Sequence, residues 1–142
     1  MPYATQDQLT DRFGEKMVRQ LTDRATPPAG AIDADVVARA LADTDAVIDG
    51  YLAGRYALPL VATPDLVVDL ALAIAIYKLH LSTAPDLIVN NYKDAIATLN
   101  RIGTGVVRLP VAGVEPESSG ASGVETTDRE RPFTELNLKG FI

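Results

Sequence analysis

IDADVVARALADTDAVIDGYLAGRYALP, residues 32 to 59, is the stretch that decides the fold we predict for this chain. Its apolar residues recur at intervals of three, four and seven, as on one face of a helix: Val37, Leu41, Val47, Ile48, Tyr51 and Leu52. The carboxylate of Asp33 can cap the first turn, and Pro59 disfavours helical geometry at the residue before it. We therefore expect a helix that starts after Asp33, ends near Tyr56 and buries its apolar face against partners.

The composition narrows both the fold and the chemistry. The 142 residues suffice for one domain, and 47% are hydrophobic while only 6% are aromatic, with no Trp and no Cys. A core of Ala, Val, Leu and Ile favours helices, and the lack of cysteine excludes disulfides, thiolate metal sites and cysteine nucleophiles. The net charge of -6 repels a phosphate backbone, so binding to nucleic acid is disfavoured. The first residues, MPYATQDQLTDRF, lack the basic and apolar regions of an export signal.

Two short helices are expected before the long one. Thr5 and Gln8 form a possible capping box, and Gly14 can end the first helix. Residues 15 to 21 supply another turn or two with an apolar side. The prolines and the glycine of residues 22 to 31 then forbid a continued helix, so this stretch is predicted to be a loop.

The most apolar run, residues 66 to 81 (LVVDLALAIAIYKLHL), is expected to form a central helix. It is slightly short for a bilayer and contains charged residues, so we interpret it as a core helix and not as a membrane span. Thr63 is its expected cap, with Pro64 in the first helical position. The short connection predicts antiparallel packing on the long helix. Asp69 should face solvent or pair with an arginine such as Arg55.

A further helix is expected from Thr83 and Pro85 to Gly103, with a buried stripe of Ile88, Tyr92, Ala95, Leu99 and Ile102. After it, residues 106 to 109 (VVRL) are extended in character and form either one strand of a small ribbon, which can pair with another subunit, or an ordered arm. The predicted fold class is therefore all-α: a small helical bundle of four to five helices with a short extended segment and a flexible C-terminal arm.

Three parts are predicted along the chain. Residues 1–114 form the helical domain, and residues 115–131 have the composition of a flexible linker. Residues 132–142 regain apolar side chains, namely Phe133, Leu136, Leu138, Phe141 and Ile142. An apolar segment behind a flexible linker is interpreted as a docking arm, with simple disorder as the alternative.

No constellation of catalytic or metal-binding residues is found in the sequence. His80 is the lone histidine, lacks partners at metal-ligand spacings and is interpreted as a satisfied core or rim residue. Asp43, Asp45 and Asp49 lie along a helix with no loop to gather oxygen atoms around a cation, so they are predicted to form a solvated face. We therefore predict no enzyme activity and no cofactor.

Gly50 and Gly54 have the small-xxx-small spacing that permits close helix contact. Here the spacing is expected to let another backbone approach Tyr51 and Arg55. That backbone can belong to the same chain or to a neighbouring subunit.

Several short motifs, in this order, resemble those of the Mu-like phage neck protein family. The N-terminus carries Tyr3-Ala4-Thr5 followed by Arg12-Phe13-Gly14, and LTDR follows at residues 21 to 24. The pattern DGYL..RY.LPL occupies residues 49 to 60, and RxF....LKGF occupies residues 131 to 141. The similarity thus runs from residue 3 to residue 141.

The resemblance implies a structural head-tail connector, or adaptor, whose partners are the portal protein, neighbouring copies of itself and a tail or stopper protein. About twelve copies would form a ring beneath the portal, through which DNA passes without sequence-specific binding and without any membrane contact. The expected location is the neck of the virion of a tailed phage or a gene-transfer particle, after assembly in the host cytoplasm. The alternative function is a soluble helical regulatory binding module with a disordered target-binding tail.

Two sets of site residues follow from the resemblance. The subunit interface is expected at Asp49, Gly50, Tyr51, Gly54, Arg55 and Tyr56. The docking arm is expected to contact the portal or a neighbour through Phe133, Leu136, Leu138, Phe141 and Ile142.

Overall fold

The computed structural model describes residues 2 to 111, which form five α-helices. They are α1 (Gln6–Phe13), α2 (Glu15–Thr22), α3 (Ala34–Leu52), α4 (Asp65–Leu79) and α5 (Asp86–Gly103). No β-strand occurs between residues 2 and 111, so the predicted all-α bundle of four to five helices is confirmed. The predicted linker (115–131) and docking arm (132–142) lie outside the described residues, and the domain boundary at residue 114 stays a prediction.

α1 and α2 start from the signals that the sequence contains. The N–H of Gln8 donates to the Thr5 hydroxyl at 3.2 Å, and the Thr5 N–H donates to the Gln8 side-chain oxygen at 3.0 Å. This reciprocal pair is the predicted capping box. Gly14, with a φ of 86°, separates the two helices in a conformation that glycine adopts without steric cost. Leu9 and Val18 anchor them in the core, since both are fully buried.

α3 begins at the predicted cap. The Asp33 carboxylate accepts from the backbone N–H groups of Asp35 and Val36 at 3.0 and 3.3 Å. The buried side chains of α3 follow the helical period: Val37, Ala40, Leu41, Thr44, Ile48 and Leu52. Val47 and Tyr51, which the pattern also placed on this face, lie at its edge and are half-buried.

The end of α3 differs from the prediction by four residues, because the helix stops at Leu52 and not near Tyr56. Beyond Leu52 the backbone tightens: the Arg55 N–H bonds the Leu52 carbonyl, three residues back, at 3.0 Å. Gly54, a poor helix former, lies in this turn. The turn directs Tyr56 into the core, where it is 4% exposed.

α4 is the central helix, as predicted, and buries Val67, Leu70, Ala71, Leu72, Ile74, Ala75, Ile76 and Leu79. Its start is corrected by one residue. Pro64 has an extended ψ of 150° and is the N-cap, while Asp65, and not Pro64, is the first helical residue; no side chain caps this helix, so the predicted cap at Thr63 is wrong. Leu81, the last residue of the run predicted to be helical, lies beyond the helix and is 75% exposed, because the backbone becomes extended at His80.

α3, α4 and α5 alternate in direction. Val36 and Ala40 of α3 line the same cleft as Lys78 and Leu79 of α4, so α3 and α4 are antiparallel, as predicted. Tyr77 of α4 stacks on a tyrosine of α5, Tyr92, with ring centroids 4.0 Å apart. We call the end of the bundle where α3 and α5 finish and α4 begins the C-end, and the opposite end the N-end.

Asp69 on α4 faces solvent, with its side chain 58% exposed, and also pairs with an arginine, which is Arg12 on α1 and not Arg55. Arg12 lies in the last turn of α1, which contacts α4, whereas the guanidinium of Arg55 lies against Gly105. The predicted ion pair therefore exists with a different arginine.

The last described segment follows α5. Gly103 is the final residue of the helix, near the predicted end, but the glycine with a positive φ is Gly105, at 83°. Residues 106 to 109 form no strand within the described part of the chain. The segment agrees with the ordered-arm alternative, because Leu109 is packed into the core with 6% exposure, while pairing with another subunit stays a prediction.

Candidate functional site

Tyr56, at the C-end of the bundle, joins two distant parts of the chain. Its hydroxyl oxygen accepts from the backbone N–H of Leu109 at 3.1 Å in a buried position. Residues 106 to 111 have no regular secondary structure, so the buried Leu109 N–H needs a partner outside a helix. The bond to Tyr56 supplies it and holds this segment against the end of α3. The sequence placed Tyr56 in a subunit interface; the structure places its side chain inside the chain.

Tyr51 and Arg55 are approached closely by another backbone, as the sequence predicted, but the glycines that allow it are Gly103 and Gly105. A Cβ built on Gly103 would lie 2.9 Å from the Tyr51 carbonyl oxygen, and one on Gly105 would lie 2.5 Å from Cζ of Arg55. Any side chain at either position therefore forces its surroundings to move. The GTG triplet at residues 103 to 105 was the available sequence signal for this contact.

Gly50 and Gly54 are not approached by another backbone in the part of the chain that the structure describes. Both are exposed, and a Cβ added to either would meet nothing within 4 Å. Of the two alternatives for this glycine pair, a contact with another backbone of residues 2 to 111 is not found. The contact across a subunit boundary stays a prediction.

Asp45 and Asp49 bind the N-terminal segment through Tyr3. The Tyr3 N–H donates to Oδ1 of Asp45 at 3.0 Å, and the Tyr3 hydroxyl donates to Oδ1 of Asp49. Both carboxylates are half-buried, so the predicted solvated face is wrong for these two and holds for Asp43, which is exposed. This role of Tyr3 was not predicted, because its position three residues before α1 gives no periodic signal.

These contacts shift two pKa values. Burial, the hydrogen bond to Asp49 and the charges of Asp49 and Asp45 raise the pKa of the Tyr3 phenol above its ordinary 10.0. Burial also raises the pKa of the Asp45 carboxyl above 3.8, with the Asp49 carboxylate acting in the same direction and the Tyr3 N–H opposing it. The N-terminal segment thus covers the carboxylates of Asp45 and Asp49 and partly shields them from water.

A pocket of about 420 Å³ opens beside this contact and is lined by Tyr3, Asp49, Leu58, Pro59, Leu60 and Thr63. Exposed apolar side chains lie at the same end of the bundle: Val61 is 87% exposed, Val106 75% and Leu66 37%. The C-end therefore combines a firmly linked backbone with apolar groups that face solvent.

The described residues offer no arrangement for metal chemistry. Residues 2 to 111 contain no group of three or more His, Cys, Asp or Glu side chains that could hold a metal ion. His80 caps the end of α4, and its Nδ1 lies 2.8 Å from the carbonyl oxygen of Ile76, which confirms its interpretation as a satisfied rim residue. No helix in this part of the chain is both long and apolar enough to cross a membrane.

The fold and the site together define a small all-α protein with a reinforced C-end and exposed apolar side chains on it. A family model described as Bacteriophage Mu, Gp36 matches residues 3–127, and the chain belongs to this family. Gene product J of Escherichia phage Mu is 31% identical over 142 residues, which cover all of both chains. Mu-like prophage FluMu protein gp36 of Haemophilus influenzae is 29% identical over 140 residues, or 99% of this chain and 98% of that protein.

Membership of this family makes the chain a protein of Mu-like phages and prophages and supports a structural, virion-associated role. A structural role also agrees with the prediction that the chain is not an enzyme. The predicted docking residues Phe133, Leu136, Leu138, Phe141 and Ile142 lie outside the described residues.

Proposed function

We propose that this protein is a head-tail connector of a tailed phage or phage-like particle. About twelve copies form a ring beneath the portal protein, join the DNA-filled head to a tail or stopper protein, and let the DNA pass. Its place is the neck of the virion, and its assembly takes place in the host cytoplasm. The net charge of -6 suits a channel component that does not retain DNA.

The observation that carries this proposal is that exposed apolar groups and the long-range hydrogen bonds of Tyr3 and Tyr56 occur together at the C-end of a chain that belongs to a phage family. Leu81 and Leu87 at the N-end are also exposed, so exposure alone does not distinguish the two ends.

Val61 and Val106 are among the most exposed large apolar residues described, and Leu66 lies at the same end. Exposed apolar groups gathered in one region favour a protein contact. The links from Tyr3 and Tyr56 hold the backbone beneath them, so a partner would bind a surface that is already ordered.

A ring needs two different surfaces on each subunit, because each copy meets one neighbour on either side. The predicted interface residues Asp49, Gly50, Tyr51, Gly54 and Arg55 supply one of them. Gly50 and Gly54 leave room above the end of α3 that a neighbouring backbone can occupy. The C-terminal docking arm then contacts the portal or the next subunit.

The test compares two matched variants of the full chain. Val61→Glu introduces a charge at the C-end, and Leu87→Glu introduces one at the N-end, where Leu87 is 70% exposed. We expect electron microscopy to show rings on the purified portal protein with the wild type and with Leu87→Glu, and their loss with Val61→Glu. Circular dichroism and thermal unfolding should remain unchanged in both variants.

Two results would contradict the proposal. The first is the absence of any ring or portal complex with the wild-type chain. The second is an equal effect of the two variants, which would mean that the C-end is not the contact surface. Deleting residues 132 to 142 tests the docking arm separately, since unaffected assembly would exclude a role for it.

A further inference from the structure

A small cleft at the N-end of the bundle gathers positive charge. It has a volume of about 120 Å³ and lies between α3, α4 and the loop before α3. Seven residues line it: Arg24, Val36, Arg39, Ala40, Asp43, Lys78 and Leu79. Three of them are cationic and one is acidic, whereas the whole chain has 19 acidic and 13 basic residues. The cleft therefore has the opposite charge from the protein around it.

Arg24, Arg39 and Lys78, the three cations of the cleft, form no salt bridge with any carboxylate of residues 2 to 111. The salt bridge found among residues 2 to 111 is that between Arg12 and Asp69, far from the cleft along the chain. Arg24 donates to the carbonyl oxygen of Leu79 at 3.3 Å, which holds its guanidinium at the edge of the cleft. An anionic group that entered would be the first carboxylate partner within salt-bridge distance for these side chains.

The floor of the cleft is apolar. Ala40 and Leu79 are buried, and Val36 is half-buried. Charges beside an apolar wall interact more strongly than charges surrounded by water. The small volume accommodates a short carboxylate side chain and excludes a bulky ring, so the cleft fits an acidic peptide.

The chain itself contains such a peptide. Residues 115 to 128 (EPESSGASGVETTD) carry four carboxylates, Glu115, Glu117, Glu125 and Asp128, and no cation. The described part of the chain ends at Val111 near the C-end, and α3, with 19 residues, spans about 28 Å between the two ends. A coil of about 14 residues has a root-mean-square span of about 20 Å and an extended length of about 48 Å, so Glu125 and Asp128 can reach the cleft.

We propose that the cationic cleft of Arg24, Arg39 and Lys78 binds the acidic segment 115–128 of the same chain. The contact is electrostatic and therefore weakens with salt. It directs residues 132 to 142, which follow the segment, toward the N-end of the bundle. This inference does not depend on the connector role, because it concerns a contact within one subunit.

The second anion to consider is the phosphate backbone of DNA. Asp43 at the edge of the cleft and the net charge of -6 both oppose the approach of a polyanion. A short acidic segment tethered nearby does not meet the same repulsion, since its effective concentration is set by the tether. The acidic segment is therefore the favoured occupant.

The experiment is zero-length carbodiimide cross-linking of the full chain, followed by mass spectrometry of the monomer band. The reagent joins a lysine amine to a carboxylate only where the two are in contact. We expect Lys78 to be linked to residues 115 to 128 about fivefold more often than Lys16 or Lys93, the other two lysines in the described residues. In about 1 M salt, where the screening length falls to about 3 Å, this excess should disappear.

Two charge reversals serve as a matched pair. Arg39→Glu removes a cation of the cleft and should reduce the Lys78 links about fivefold while leaving Lys78 in place. Arg101→Glu reverses an exposed arginine of α5 that does not line the cleft and should leave the links unchanged. Circular dichroism should show the same helix content for both.

Three outcomes would overturn the proposal. Links spread evenly over the three lysines would mean that the segment has no preferred site. Lys78 links found only in a dimer band would make the cleft a contact with a second copy. Binding of a DNA oligonucleotide that is lost with Arg39→Glu would make it a nucleic-acid site. Ring formation on the portal is measured separately, so a failure here leaves the connector proposal intact.

Discussion

The two ends of the bundle are held together in different ways. At the C-end, Tyr3 and Tyr56 bond to residues 42 to 53 positions away in the chain. At the N-end, Thr22 and Asp23 bind backbone N–H groups of the following loop, only 6 to 11 residues on, and one longer bond comes from Arg24. Long-range links persist only while the whole fold is intact, whereas local turns can open on their own. The C-end is therefore the better platform for binding a partner.

The largest expected effect comes from two glycines substituted in the same way. Gly103→Ala places a Cβ 2.9 Å from the Tyr51 carbonyl, while Gly50→Ala places one in open space within α3. We expect Gly103→Ala to lower the free energy of unfolding by about 2 kcal/mol through the clash. Gly50→Ala should raise it by up to about 1 kcal/mol, because alanine is the better helix former. Urea unfolding of each variant measures both values.

If the two substitutions change the free energy of unfolding in opposite directions, the tight packing of the C-end lies at the end of α5. Equal gains for both alanines would mean that α5 can move away from Tyr51 at little cost. In that case the C-end would be no more rigid than the N-end.

The second prediction concerns the link between Tyr56 and Leu109. Tyr56→Phe leaves the buried Leu109 N–H without its acceptor, and we expect a loss of about 1–2 kcal/mol in the free energy of unfolding. Tyr92→Phe is the control, because Tyr92 is half-buried and stacks on Tyr77 through its ring, which phenylalanine retains. Its effect should stay within about 0.5 kcal/mol. Hydrogen exchange at Leu109 should accelerate in Tyr56→Phe alone.

The sequence predicted the helices because their signals are local. The capping box at Thr5, the cap at Asp33 and the apolar periods of α3 and α5 each depend on residues within one or two turns, and all are found. The errors at helix ends have local causes too. For example, α3 ends at Leu52 because the backbone tightens in the turn that contains Gly54. This turn also brings the Tyr56 side chain into the core.

The contacts of the candidate site were predicted less well, because they join residues far apart in the chain. The sequence identified Tyr51 and Arg55 as places of close approach and attributed this to their neighbours Gly50 and Gly54. In the structure the space comes from two glycines distant in sequence, Gly103 beside Tyr51 and Gly105 beside Arg55. Nothing in a helical period indicates that Tyr3 reaches α3. Such pairings follow from the packing of the whole bundle and carry no signal at fixed spacing.

A smaller effect is expected from the hydroxyl of Tyr3. Tyr3→Phe removes the hydrogen bond to Asp49 and should cost about 1 kcal/mol at pH 7, since the half-buried carboxylate can regain water. The pKa of Tyr3 is raised in the folded chain, so above pH 10.0 the unfolded chain loses this proton first. The wild type therefore loses stability as the pH rises above 10.0, and Tyr3→Phe lacks this loss.

The difference in unfolding free energy between the wild type and Tyr3→Phe should consequently shrink above pH 10.0. Taking the difference between the two chains cancels the contributions of the other tyrosines. A difference that stays constant with pH would show that Tyr3 is not anchored at the C-end, and the comparison of the two ends would lose one of its long-range links.

The smallest effect is expected for Asp45. Because its pKa is raised in the folded chain, its contribution to the free energy of unfolding changes with pH in the acid range. Because the folded chain binds this proton more tightly, the contribution is fully present below pH 3.8 and is lost as the pH rises through the folded pKa. Asp45→Asn keeps an oxygen that can accept from the Tyr3 N–H and removes the charge. The variant should therefore gain stability relative to the wild type between pH 3.5 and pH 7, by less than the loss in Tyr3→Phe. Asp43→Asn is the matched control, because Asp43 is exposed on the same helix. If the free energy of unfolding of both variants changed with pH in the same way, Tyr3 would not desolvate Asp45 at the C-end.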